Sequence, residues 1–128
     1  MKDKKLSIQI SRPINQIFTF TLNPANTPLW IDSIVKEEVN KEPTQLGSVY
    51  RNVNKEGEWS EYVITAFDQD KMIEMASKDG NYHVKYTFRQ IQEDLTEMEY
   101  YECVGNGELE EPFTLQILEK LKETIENQ

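Results

Sequence analysis

The sequence is short of positive charge, with 14 lysines and arginines against 23 aspartates and glutamates over 128 residues, a net charge of -9. It also carries only one cysteine and one histidine. Each shortage excludes something. The acidic balance speaks against nucleic acid, whose affinity rests on Lys and Arg contacts to phosphate, and against an anionic membrane surface. Cys103 has no partner for an internal disulfide, which suits a reducing compartment. Cys103 and His83 fall short of the ligand set of a closed zinc site. No apolar run approaches the roughly 20 residues of a spanning helix. After the basic Met1-Lys-Asp-Lys-Lys start, Leu6-Ser-Ile-Gln-Ile-Ser alternates polar and apolar residues and cannot form the core of a signal peptide. The expectation is a cytoplasmic protein with no membrane insertion, no nucleic-acid partner, no cofactor and no metal.

Catalytic signatures are equally sparse. Gly105-Asn-Gly107 lacks the third glycine of a dinucleotide loop and the Gly-Lys-Ser/Thr of a phosphate loop, and it follows the last strand instead of opening a βαβ unit. Asp68 and Asp70 lack the glycine and closing glutamate of a calcium loop, so a turn is the better reading. No Gly-x-Ser-x-Gly marks an activated serine. His83 falls on the polar face of its strand and reads as solvated.

What the chain does have is a clear order of parts. Leu6, Ile8 and Ile10 alternate with polar residues as in a half-buried strand. Ser11-Arg12-Pro13 reads as a helix start with proline in the first turn, and Ile14, Ile17 and Phe18 form one helical face. Asn23-Pro24 breaks it, and Pro28-Leu29-Trp30 follows, giving two short helical pieces. From Ile34 the period is two. Strands are read at Val49–Val53, Trp59–Phe67 (Tyr62, Ile64 and Ala66 on one face), Met72–Ser77, Asn81–Ile91 and Leu95–Val104. Asp79-Gly80 marks a hairpin, since glycine accepts the positive φ of a tight turn. In Asn81–Ile91, Val84, Tyr86 and Phe88 face one way, and His83, Lys85, Thr87 and Arg89 the other. The last element is an amphipathic helix from about Glu110 to Glu126. Glu110 and Glu111 suit its positive N-terminus and Pro112 its first turn. Phe113, Ile117, Leu118, Leu121 and Ile125 form its apolar stripe, with Lys120 and Glu123 outside. Residues 1–128 therefore read as one antiparallel α+β domain. Its final helix has only the concave face of the sheet to bury itself on, and a space between the two is where function would lie.

The inner surface is rich in aromatic rings and sulfur: Tyr62, Met75, Tyr86, Phe88, Met98 and Tyr100 on strands, facing Phe113 and Ile117 on the helix. Plain core accounts for any one of them. Three inward tyrosines favour a cavity, because a buried phenol needs a hydrogen-bond partner. By parity Glu102 falls inward beyond Tyr100, and Arg51 is placed inward between Val49 and Val53. A carboxylate in an apolar wall has its pKa raised unless it is paired. Glu102 is thus the one weak catalytic candidate, as an acid–base group, or else a polar anchor for ligand. A solvated place at the open end of the sheet, or a bulge reversing the parity, is the alternative.

The opening strand, Ser11-Arg12-Pro13 leading into Ile17-Phe18, and Asn23-Pro-Ala-Asn-Thr-Pro-Leu-Trp30 resemble the start of START-like domains, the SRPBCC superfamily that includes polyketide cyclase/dehydrase and lipid-transport proteins. Leu46-Gly47-Ser-Val-Tyr-Arg, Glu61-Tyr-Val-Ile-Thr-Ala-Phe and the terminal Leu118-Glu-Lys-Leu-Lys-Glu-Thr-Ile-Glu match the same pattern in order, so the resemblance spans nearly the whole chain. It implies a helix-grip fold, a seven-stranded antiparallel sheet wrapped around the long C-terminal helix with a hydrophobic cavity between. It further implies binding of a small hydrophobic or amphipathic ligand (lipid, quinone or polyketide-like), with Trp30 joining the strand and helix residues above as ligand contacts. A cyclase or dehydratase using a cavity carboxylate or tyrosine, and a regulatory module that binds a protein partner or a second copy of itself, are the alternatives.

Overall fold

The alternation of Leu6, Ile8 and Ile10 builds β1 (Asp3–Ile10), the first edge of the sheet in the computed structural model, which describes residues 2–110 and 112–128. Then come α1 (Ile14–Leu22), a 3₁₀ turn (Pro24–Asn26), α2 (Thr27–Trp30), β2 (Ile34–Val39), β3 (Val49–Asn54) and β4 (Trp59–Asp68). β5 (Met72–Ser77), β6 (Tyr82–Gln92), β7 (Leu95–Val104) and α3 (Leu115–Glu126) complete the chain. The described residues form one seven-stranded sheet in the order β1-β7-β6-β5-β4-β3-β2, with antiparallel neighbours, curled into a half-barrel around the helices. This is the helix-grip arrangement. Met1 and Glu111, read above as part of a basic start and as a charge at the last helix's N-terminus, lie outside the described residues.

The register explains which side chains face in. β6 and β7 pair Val84 with Glu102, Tyr86 with Tyr100 and Phe88 with Met98, and β1 adds Leu6 beside Tyr100 and Ile8 beside Met98. These pairs stand on the concave face. The opposite face carries exposed partners such as Arg89 with Glu97.

Three expectations are corrected. In β4 a bulge between Ile64 and Ala66 shifts the register, so Ala66 lies opposite the outward Glu74, and Phe67, opposite Ile73, turns inward. An extra residue in one strand reverses its parity from that point on, and Phe67 sits edge-on to Phe18 at 5.7 Å between ring centroids. In β3 the inward residues are Tyr50 and Asn52. Arg51 faces out with Val49 and Val53, its guanidinium over the Trp59 ring at 4.1 Å and paired with Glu38 at 3.3 Å. The strand therefore keeps its charge in contact with water and its phenol in the core. Finally, Pro13 is the N-cap of α1 with extended backbone, not a residue of its first turn.

α3 begins at Leu115, five residues later than the charge pattern suggests, and packs against β1 and α2. Leu118, Leu121 and Ile125 are wholly buried, Ile117 is half-buried against the core, and Lys120 and Glu123 are exposed. Its C-terminal end is tied to the start of the domain. The Ser11 amide donates to the Glu126 carboxylate at 2.8 Å, and the Arg12 guanidinium donates to the Glu126 carbonyl, a cation at the negative end of a helix. Leu121→Ala is therefore expected to cost about 2–5 kcal/mol in denaturant unfolding, whereas Glu123→Ala changes stability by less than about 0.5 kcal/mol. Equal effects of the two would mean that this stripe is not the buried face.

Candidate functional site

β6 runs under two different covers. Near Phe88 the concave face is covered by α1, and Phe18 meets the Phe88 ring edge-on at 5.3 Å. Near Tyr82, Val84 and Tyr86 only the last residues of α1, Thr21 and Leu22, contribute, and a cavity of about 430 Å³ opens between the sheet, that end of α1, α2 and the chain leading into α3. Of the residues expected to bind ligand, Trp30, Tyr62, Met75, Tyr86, Tyr100 and Phe113 line this cavity. Phe88, Met98 and Ile117 do not. Phe88 is held by Phe18, Met98 beside it is wholly buried, and Ile117 packs with α3 against the core. No residue of α3 lines the cavity, because the helix starts late and docks to one side, over β1 and α2.

Glu102 sets this geometry. It is 2% exposed, and both its carboxylate oxygens are occupied. Oε1 accepts from the Tyr82 hydroxyl at 2.8 Å and the Tyr100 hydroxyl at 3.3 Å, the two phenols lying 3.1 Å apart. Oε2 accepts from the Phe113 backbone N–H at 2.7 Å. That last bond ties Phe113 to β7, with Thr114 extended at the helix N-cap, which is why the helix does not start at Glu110. The Phe113 ring then stacks on Tyr100 at 4.0 Å and 11° and meets Trp30 edge-on at 6.0 Å. Trp30 in turn lies 6.4 Å from Tyr86, and Tyr86 5.5 Å from Tyr100, so four rings form one continuous wall.

A second carboxylate was not singled out from the sequence. Glu37 of β2 lines the cavity, its Oε1 accepting from the Thr27 hydroxyl at 2.6 Å and its Oε2 from the Asn52 amide at 3.1 Å. Burial pushes the Glu37 carboxyl above its ordinary range, and these two hydrogen bonds pull it only partly back. Tyr50 and Tyr82 also line the cavity unanticipated, although Tyr82 shares the parity of Val84 and Tyr86 and could have been found from it. Tyr50 donates to the Leu22 carbonyl at 2.6 Å, so the Thr44 hydroxyl, also at 2.6 Å, donates to it. Its pKa is pushed up to about 12, mainly by burial. Burial likewise raises the pKa of Tyr62, Tyr82, Tyr86 and Tyr100. The cavity phenols are therefore neutral at physiological pH and act as hydrogen-bond donors and acceptors.

Two polar groups in this wall are unspent. The Tyr86 hydroxyl has no hydrogen-bond partner among the described residues, although the residue is 9% exposed. The buried Trp30 Nε1 is likewise without an acceptor among them. Buried polar groups normally find partners; the Tyr86 hydroxyl is open to one supplied from outside the chain, whereas the fully enclosed Trp30 Nε1 is not.

Solved structures share this architecture over nearly the full chain. A START superfamily protein from Mycobacterium smegmatis superposes with a TM-score of 0.76 at 11% identity, covering 99% of this chain and 99% of that one. A protein from Mesorhizobium loti gives 0.78 at 14% identity, covering 98% of each. The Aha1 protein from Colwellia psychrerythraea, solved in solution as a dimer, gives 0.71 at 13% identity, covering 98% of this chain and 97% of that one. The fold is thus START-like. No protein-family model and no curated protein matches the chain. No helix among the described residues is long and apolar enough to cross a membrane.

The raised carboxyl of Glu37 makes a pH prediction. The folded state holds that proton better than the unfolded chain does, so ionised Glu37 costs stability at neutral pH, and the cost vanishes as pH falls below the unfolded value of about 4.3. Glu37→Gln is expected to raise the melting temperature at pH 7, by an amount that shrinks towards zero near pH 4. A gain independent of pH would contradict the assignment.

Proposed function

We propose that the protein binds a small hydrophobic or amphipathic molecule in the cavity between the sheet, α2 and the chain before α3. The observation that supports this most directly is the cavity itself. Its volume of about 430 Å³ lies within the roughly 300–1,000 Å³ typical of ligand pockets. Aliphatic and aromatic side chains share its wall with many polar ones, a mixture that gives affinity through buried area and orientation through hydrogen bonds. A packed core would have closed such a space, since interiors leave few voids larger than a water molecule.

The acid–base alternative has less support. Its original candidate, Glu102, already accepts three hydrogen bonds and is engaged in holding Phe113. A partner-protein or self-association role rests on exposed apolar side chains that are scattered, such as Leu46 in the β2–β3 connection and Ile91 on β6, and single exposed apolar residues are ordinary on protein surfaces.

Titration calorimetry with neutral probes, indole and octanol, tests the binding reading. Val84→Phe puts extra carbon into the cavity from β6 and is expected to weaken both probes by about tenfold or more, the loss that follows when about 1.4 kcal/mol of burial is blocked, while the domain stays folded. Tyr86→Phe, which removes the unpaired hydroxyl, is expected to weaken octanol by about 0.5–1.5 kcal/mol, the net worth of one hydrogen bond. Absence of probe binding to the unaltered protein would refute the reading.

A further inference from the structure

Among the described residues, the charged side chains that line the cavity are all acidic. Four glutamates line it: Glu37 on β2, Glu102 on β7, and Glu108 and Glu110 in the exposed chain leading towards α3. No lysine, arginine or histidine is among the described residues that line it. A carboxylate or phosphate headgroup entering this space would lose its hydration and meet no positively charged side chain among the described lining residues. A cation would meet the reverse. Glu102 is spent on the Tyr82, Tyr100 and Phe113 donors. Glu37 has one donor on each oxygen, Thr27 on one and Asn52 on the other, and a carboxylate oxygen accepts about two. Glu37 thus keeps room for a further donor.

A second, independent observation concerns the wall. The Tyr86 hydroxyl belongs to a side chain that lines the same cavity as Glu37 and is without a hydrogen-bond partner among the described residues. Its oxygen can accept an N–H. Trp30 stands beside it and Tyr62 lines the same cavity next to Tyr82, and the faces of such rings attract cations.

We propose that the cavity selects organic ammonium ligands, an apolar body carrying a protonated amine, with Glu37 as the counter-ion, the Tyr86 hydroxyl as a hydrogen-bond acceptor and the aromatic wall around the apolar part. This rests on the reading of the cavity as a ligand site and names the ligand's charge class. At the roughly 30 Å³ that a water-sized group occupies in a liquid, the volume of about 430 Å³ holds a ligand on the order of 15 non-hydrogen atoms.

Three probes of eight carbons each separate the possibilities: octylammonium, octanol and octanoate, titrated into the 128-residue protein at low salt and neutral pH. Octylammonium is expected to bind at least about tenfold tighter than octanol, a modest demand on one desolvated ion pair, and octanoate weakest of the three. Glu37→Gln is expected to reduce the ammonium preference over octanol below about threefold. The comparison of the three probes needs no variant, so it decides the matter even if that substitution fails to fold. Octanol binding as tightly as octylammonium would overturn the charge preference and leave the ligand site standing. Octanoate as the tightest probe would do the same. Binding of none of the three would overturn both. An ammonium preference that survives Glu37→Gln would remove Glu37 from the role assigned to it.

Discussion

The arrangement depends on one buried carboxylate. Glu102 sits on β7 opposite Val84, away from water, where an unpaired charge would cost several kcal/mol. Two phenols and one backbone N–H satisfy it. Removing its hydrogen-bonding capacity would leave all three donors facing an apolar group. The consequences reach beyond the hydrogen bonds. Because Oε2 captures the Phe113 amide, Phe113 is tied to β7 and the helix begins only at Leu115. Because Phe113 is fixed there, its ring seals the wall made by Tyr100, Tyr86 and Trp30.

The cavity follows from what the helices leave uncovered. α1 packs on the concave face at Phe88 and only its last residues, Thr21 and Leu22, line the cavity, while α3 is drawn to β1 and α2, where Leu118, Leu121 and Ile125 are buried. The inward side chains of β6 therefore serve two ends, Phe88 as core and Val84 and Tyr86 as wall. The polar groups around the space have the same double character. Glu102 is fully committed to structure, whereas Glu37 and Tyr86 are held by neighbours and still have capacity to spare.

Much of this was legible in the sequence, because hydrophobic alternation is a direct record of which face of a strand is buried. β5 and β7 lie at the residues read for them, and the inward set of Val84, Tyr86, Phe88, Met98, Tyr100 and Glu102 follows from parity alone. Parity failed where its premise failed. In β4 the bulge at Thr65 exchanged Ala66 for Phe67, and a bulge leaves no reliable mark in a single sequence. In β3, Val49 and Val53 looked like inward residues, yet Tyr50 buries more apolar area and its phenol finds the Leu22 carbonyl. The late start of α3 was hidden because Glu110 and Pro112 suit a helix N-terminus, and the competing bond from Phe113 to Glu102 is a long-range contact that no local pattern reports. Glu37 escaped for the same reason, since Thr27 and Asn52 come to it from other elements. The START-like fold was carried by the order of the elements, and it placed the cavity without saying how the helix would sit beside it.

The central claim is that Glu102 holds the Phe113 segment and thereby shapes the cavity. Amide hydrogen exchange at Phe113, followed by NMR in the unaltered protein and in Glu102→Met, tests this most directly. The Ile64 amide, which donates to the Ser48 carbonyl at 2.8 Å within the sheet region, provides the internal reference. The account predicts that the Phe113 amide is protected in the unaltered protein and exchanges at close to the free-peptide rate in the variant, while Ile64 stays protected in both. A Phe113 amide that exchanges freely in the unaltered protein, or one that keeps its protection without the carboxylate, would contradict it.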